Sequence, residues 1–105
     1  MTTVLTTRVF RRWYAQLKDE RARYRIQARI DRAEDGNLGD VKPVGGDVFE
    51  MRIHYGAGYR VYCVRRGVEL VILLAGGTKS SQRRDIAEAI ALAQTLEEET
   101  PCRLN

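Results

Sequence analysis

The chain has 105 residues, is 44% apolar, and carries 18 basic side chains against 14 acidic ones, for a net charge of +4. That length allows one domain with a single core, and no apolar run approaches the roughly 20 residues of a membrane span. The opening MTTVLTTRVF has no basic patch leading into an apolar stretch, so no secretory signal is expected, and Cys63 and Cys102 read as reduced thiols of a cytoplasmic protein.

In chain order, residues 3 to 6 suit a short first strand, and Thr7 is placed to cap a helix of about residues 8 to 18. Phe10, Trp13, Tyr14 and Leu17 recur there at helical spacing and predict a buried stripe. KDERARYRIQARIDRAEDGN reads as a second helix, with Ala22, Ile26, Ile30 and Ala33 on one face and Gly36-Asn37 ending it. Arg21, Arg25, Arg29 and Arg32 fall on an adjacent face. They are either a solvated surface or a docking stripe for nucleic acid or an acidic partner segment.

From Asp40 the period changes to two. DVFEMRIHY alternates Phe49, Met51, Ile53 and Tyr55 with Glu50, Arg52 and His54. Gly56-Ala57-Gly58 turns the chain into YRVYCV, where Val61 and Cys63 share the apolar face and Arg60 and Tyr62 the other. Arg66-Gly67 is a second turn, and VELVILLA, apolar on both faces, reads as a central strand. A last helix of about residues 81 to 96 carries Ile86, Ala89, Ile90, Ala93 and Leu96 on one side, and EEETPCRLN reads as a frayed tail. The order β-α-α-β-β-β-α predicts an α+β fold, an antiparallel sheet packed on two N-terminal helices.

All but three of the 18 bases are arginine, and without residues 97 to 105 the charge rises to +6. Such a balance favours a polyanion or an acidic partner protein. The glycine stretch LLAGGTKSSQRRDI does not fit a nucleotide loop. A Walker loop needs glycine directly before its lysine, but Thr78 precedes Lys79, and no parallel βαβ unit is visible. Gly76-Gly77 is expected to make a tight strand-to-helix turn, with Ser80 or Ser81 capping the helix and Lys79 left free at the sheet edge.

The hairpin's polar face is the stronger chemical signal. Arg52, His54, Arg60 and Tyr62 are predicted to point to one side, with Lys42 and Lys79 at the rim. RNA phosphodiester cleavage needs a group to take the 2′-hydroxyl proton, cations for the transition state and an acid for the leaving oxygen. Histidine is the side chain that ordinarily titrates nearest neutrality, and His54 is the only one in the chain, though a lone strand histidine is also compatible with a structural role. Lys42, Arg65 and Arg83 are candidate RNA-backbone contacts. No paired-carboxylate site, metal-ligand spacing or nucleophile elbow is visible, so neither a metal nor a cofactor is expected.

GNLGDVKPVGGDVFEMRIHYGAGYRVYC, followed by LLAGGTKSSQRRDIAEAIALA, closely resembles the phage-derived, HigB-like killer proteins of toxin–antitoxin addiction modules, within the RelE/ParE superfamily. The resemblance runs from about Phe10 to Ala93, and its specific marks are GNLGD, RIHYG-GYRVY and GG-KSSQ-DI. It implies a βααβββ fold with a C-terminal helix. It also implies a cognate helix-turn-helix antitoxin, through which alone operator DNA would be met and for which Arg21, Arg25, Arg29 and Arg32 form a candidate dock. Most characterised members of that superfamily cut messenger RNA with the ribosome and without metal, using sheet-face Lys, Arg, Tyr and sometimes His. By that resemblance Arg60 matches the strand arginine, Arg52 the arginine of the preceding strand, and Lys79 the basic position after the last strand. The C-terminal catalytic Tyr or His of several relatives has no clear match here. The ParE branch of the same fold inhibits DNA gyrase instead.

Overall fold

The computed structural model describes residues 1–96 and, as backbone, 102–103. The elements are β1 (Thr3–Thr6), α1 (Arg8–Gln16), α2 (Glu20–Glu34), β2 (Val41–Gly45), β3 (Val48–Ile53), β4 (Tyr59–Arg66), β5 (Leu70–Gly77), a 3-10 turn (Lys79–Ser81), α3 (Gln82–Gln94) and β6 (Cys102–Arg103). The α+β class is as expected. The frayed tail expected from residue 97 onward falls outside the described residues except for the backbone of β6.

Thr7 caps α1 as predicted: its side chain accepts from the Phe10 N–H, while its hydroxyl donates to the Leu74 carbonyl at 2.6 Å. One threonine thus fixes both the start of the helix and its seat on β5. Asp19 caps α2 through the N–H groups of Arg21 and Ala22. The predicted apolar positions of α2, Ala22, Ile26, Ile30 and Ala33, are all buried.

Two expectations are corrected. The sheet is mixed rather than antiparallel, in the order β2-β3-β4-β5-β1-β6, because β1 lies parallel to β5. A four-residue strand carries no pattern that names its partner; the direction of β5, set by the meander before it, decides the pairing. The second is that β2 is an additional strand. Pro43, Gly45 and Gly46 obscure it in the sequence, and at a sheet edge the missing proline donor costs nothing.

The sheet has a core on each face. On one, Phe10, Ile26 and Ile30 pack against Met51, Ile53, Val61, Cys63 and Leu73. On the other, Ile86, Ala89, Ile90 and Ala93 of α3 pack against Val48, Tyr62, Val64, Ile72 and Leu74. β5 is therefore apolar on both sides, as expected of a buried central strand. Cys63 is a free, buried thiol whose pKa burial pushes up to about 12; the side chain of Cys102 lies outside the described residues.

Gly76 and Gly77 are a third correction. Neither has a positive φ, and both lie within β5. They are glycine because neighbours occupy the space of a Cβ: at Gly76 it would lie 2.2 Å from Trp13 Cε3, and at Gly77 1.8 Å from Asp85 Oδ2. Ser81 does stand at the N-terminus of α3, but its hydroxyl bonds Asp85 Oδ2 at 2.5 Å and accepts the Thr78 N–H at 3.4 Å.

Candidate functional site

β3 and β4 pair symmetrically about Gly56, which sets Arg52 opposite Arg60 and Glu50 opposite Tyr62. Alternation then sends all four side chains to the α3 side of the sheet. At their centre is Glu50, fully buried. Its Oε1 lies 3.1 Å from Arg52 Nε; its Oε2 accepts from Tyr62 OH at 3.2 Å and Gln82 Nε2 at 2.8 Å, with Arg60 Nε at 3.4 Å. Burial pushes the Glu50 carboxyl up, but the hydrogen bonds from Gln82, Arg52 and Tyr62 and the Arg60 charge together hold it below its ordinary value. The ionised carboxylate fixes the two guanidiniums beside each other.

Arg52 keeps 33% of its side chain exposed and Arg60 13%. Arg60 Nη1 also donates to the Gly58 carbonyl at 2.8 Å. Lys79 is exposed, and its N–H reaches the Ala57 carbonyl at 3.3 Å. The β3–β4 turn brings it close: the space of a Gly58 Cβ is 3.2 Å from Lys79 Cβ and 3.3 Å from Arg60 Nη1. Lys42 is exposed on β2 opposite Glu50, and Arg83 is exposed in the first turn of α3, next in the chain to Gln82.

Three expected site residues are placed differently. Tyr62 shares the predicted face but is sealed under α3, and burial together with Glu50 raises its pKa strongly, so its phenol is not available to a substrate. His54 has left the strand; its side chain is 75% exposed and its Nε2 lies 2.5 Å from Asp40 Oδ2. That bond holds the Asp40 carboxyl below its usual range. Arg65 lies on the opposite face at the far end of β4, over the Phe49 ring at 6.0 Å. It is separated from Arg52 and Arg60 because odd and even strand positions face opposite ways.

The arginine stripe of α2 also divides. Arg21, Arg25 and Arg32 are exposed along a groove of about 780 Å³ that also takes in Tyr24, Ile53 and His54. Arg29 is buried and is not part of a docking surface. Its guanidinium donates to the carbonyls of Arg52, Leu38 (2.7 Å) and Asp40 (3.1 Å). Gly39, with φ +72°, allows this, since a Cβ there would press on Arg29 Nη2 at 2.9 Å. This is the physical content of the GNLGD motif.

Sequence reasoning missed Glu50 and Gln82. Glu50 was legible in principle, as an acid two residues from Arg52 on the same strand face and opposite Tyr62 once the turn is centred on Gly56. Gln82 was not, because only the docking of α3 brings it there. Among the described residues no three His, Cys, Asp or Glu side chains gather as metal ligands, and no helix is long and apolar enough to cross a membrane.

No solved structure matches the chain. It is 50% identical over 93 residues to an uncharacterized protein of Haemophilus influenzae, covering 89% of this chain and 94% of that one. Residues 13–98 match the family model described as "Phage derived protein Gp49-like (DUF891)". With most of its length matched, the chain belongs to this phage-derived Gp49-like family, a toxin-like family of the RelE superfamily.

Proposed function

We propose that the protein is the toxin of a toxin–antitoxin pair and acts as a metal-independent messenger-RNA endoribonuclease at the ribosome, held inactive by a helix-turn-helix antitoxin that alone contacts operator DNA. The observation that carries this reading is the pair Arg52 and Arg60, locked side by side on buried Glu50 with Lys79 beside them. In RNA cleavage the 2′-oxygen attacks phosphorus and charge builds on the non-bridging oxygens. The 5′-oxygen leaves with its bonding pair and takes a proton, and a 2′,3′-cyclic phosphate remains. Two guanidiniums held at fixed spacing, and one exposed ammonium, suit that charge without reorganisation. His54, exposed beside Asp40 at the end of β3, is the side chain here suited to carrying the proton.

Expressing the chain and mapping transcript ends tests this. Lys79→Ala, an exposed change that leaves the fold intact, should lower cleavage by roughly tenfold, and Arg60→Ala by about a hundredfold, the loss typical of one transition-state contact. Arg60→Lys should restore little, since it keeps the charge but not the fork. A second reading, a non-enzymatic inhibitor of DNA gyrase, is favoured by the sealing of Tyr62. Intact transcripts with accumulating gyrase–DNA breaks would decide for it.

A further inference from the structure

Beside the arginine pair, a cleft of about 490 Å³ runs across the end of β5 from α1 to α3. That volume lies in the range of small-ligand sites. Its position follows from the register: Gly77, on its floor, pairs directly with Arg60, and Thr78 and Lys79 come next in the chain. One wall is Trp13. The indole is held in place by Phe10 (ring centroids 5.8 Å apart) and Tyr59 (6.5 Å), and the bare backbone of Gly76 lets it lie against the strand. It stays partly exposed, so the cleft presents a fixed aromatic surface.

The other wall carries an acceptor that the fold does not use. Asp85 is 7% exposed, and its Oδ2 takes the Ser81 hydroxyl. Its Oδ1 has no hydrogen bond among the described residues and is not sealed from solvent, and Arg84 Nε lies 3.9 Å away. A carboxylate oxygen that is open to the cleft can accept from a ligand there. Arg12 and Arg84 at the rim are exposed and cationic.

We infer that this cleft is a nucleobase subsite of single-stranded RNA that selects guanine. The base lies against Trp13 and its N1–H and N2–H groups donate to Asp85, while the rim arginines meet the adjoining phosphate. Aromatic stacking supplies affinity without sequence preference, and the acceptor supplies the preference. Uracil offers one donor flanked by two carbonyl oxygens, which the carboxylate repels. The inference rests on the ribonuclease reading for its biological sense, but not for its test.

Trp13 is the only tryptophan in the chain, so its fluorescence reports the cleft directly. Titration with GMP, AMP, CMP and UMP should give saturable quenching, with half-saturation for GMP at about tenfold lower concentration than for UMP, the size of one charge-assisted hydrogen bond. Asp85→Asn should abolish that preference. Arg12→Ala should weaken all four nucleotides alike while leaving guanosine unchanged. Equal half-saturation for GMP and UMP, no saturable quenching by any nucleotide, or quenching by the antitoxin alone overturns the inference. The wild-type comparison needs no variant, so it decides even where Asp85→Asn does not fold. Absent quenching with RNA cleavage intact removes the subsite alone. Guanine-selective quenching without cleavage removes the ribonuclease reading and leaves the subsite.

Discussion

Glu50 shows how a single residue joins stability to function. It is the one fully buried carboxylate on the polar face, and without it two guanidiniums would face each other across neighbouring strands. Glu50→Gln should cost about 3 kcal/mol at neutral pH, the low end for breaking a buried ion pair. Because its folded-state pKa is depressed, the wild-type contribution is fully present above the ordinary glutamate value of about 4.3 and is lost as pH falls through the folded pKa. The stability gap between wild type and Glu50→Gln should therefore narrow on going from pH 7 to pH 3. Urea midpoints across that range check it, and a constant gap would refute the coupling. Gly77→Ala is the second test at this scale. Its Cβ would fall 1.8 Å from Asp85 Oδ2, so the chain must shift, and about 3 kcal/mol should be lost by overpacking. Adding Asp85→Ala should recover most of that loss in thermal melts.

Among the elements, α2 combines structure and recognition on adjacent turns. Arg29 satisfies carbonyls of the 38–40 loop and of β3, and burial depresses its pKa. Arg29→Met should therefore destabilise the fold by about 3 kcal/mol, since buried carbonyls lose a charged donor. Arg21, Arg25 and Arg32 face solvent, though Arg25 also lies over the Tyr55 ring at 4.8 Å. If the antitoxin docks here, Arg21→Glu with Arg32→Glu should weaken the complex by tenfold or more while the melting temperature holds. An unchanged affinity, read by titration calorimetry, returns these residues to a solvated surface. The charge reversal must avoid Arg29, where it would report unfolding.

The molecule as a whole is a three-layer sandwich with exposed cations on both outer layers. Lys42, Arg52 and Arg60 share the α3 side of the sheet with Lys79 beside them, Arg83 is exposed in the first turn of α3, and Arg65 lies on the opposite face. If single-stranded RNA follows the first five of these cations, five phosphate contacts predict a slope of log affinity against log salt of about −3.5. Lys42→Ala should reduce its magnitude by roughly 0.7, and Arg65→Ala should leave it unchanged. Filter binding across salt concentrations measures both. An equal effect of Arg65→Ala would mean that net charge, not those five positions, binds the RNA.

The sequence by itself determined the α+β class, the Thr7 cap, the buried stripe of α2 and the core-facing, partly buried stripes of α1 and α3, the polarity of each hairpin face and the two-sided burial of β5. These depend on local periodicity and turn chemistry, which are written in adjacent residues. Arg52 and Arg60 were legible as a cross-strand pair for the same reason, because the turn at Gly56–Gly58 sets their register. Only the tertiary structure decided that α3 seals Tyr62, that β1 joins β5 in parallel, that Arg29 turns inward, and that Gly76 and Gly77 are small to admit Trp13 and Asp85. Each of these is a meeting of segments far apart in the chain, and a residue's pattern records which face it occupies but not what arrives to cover that face.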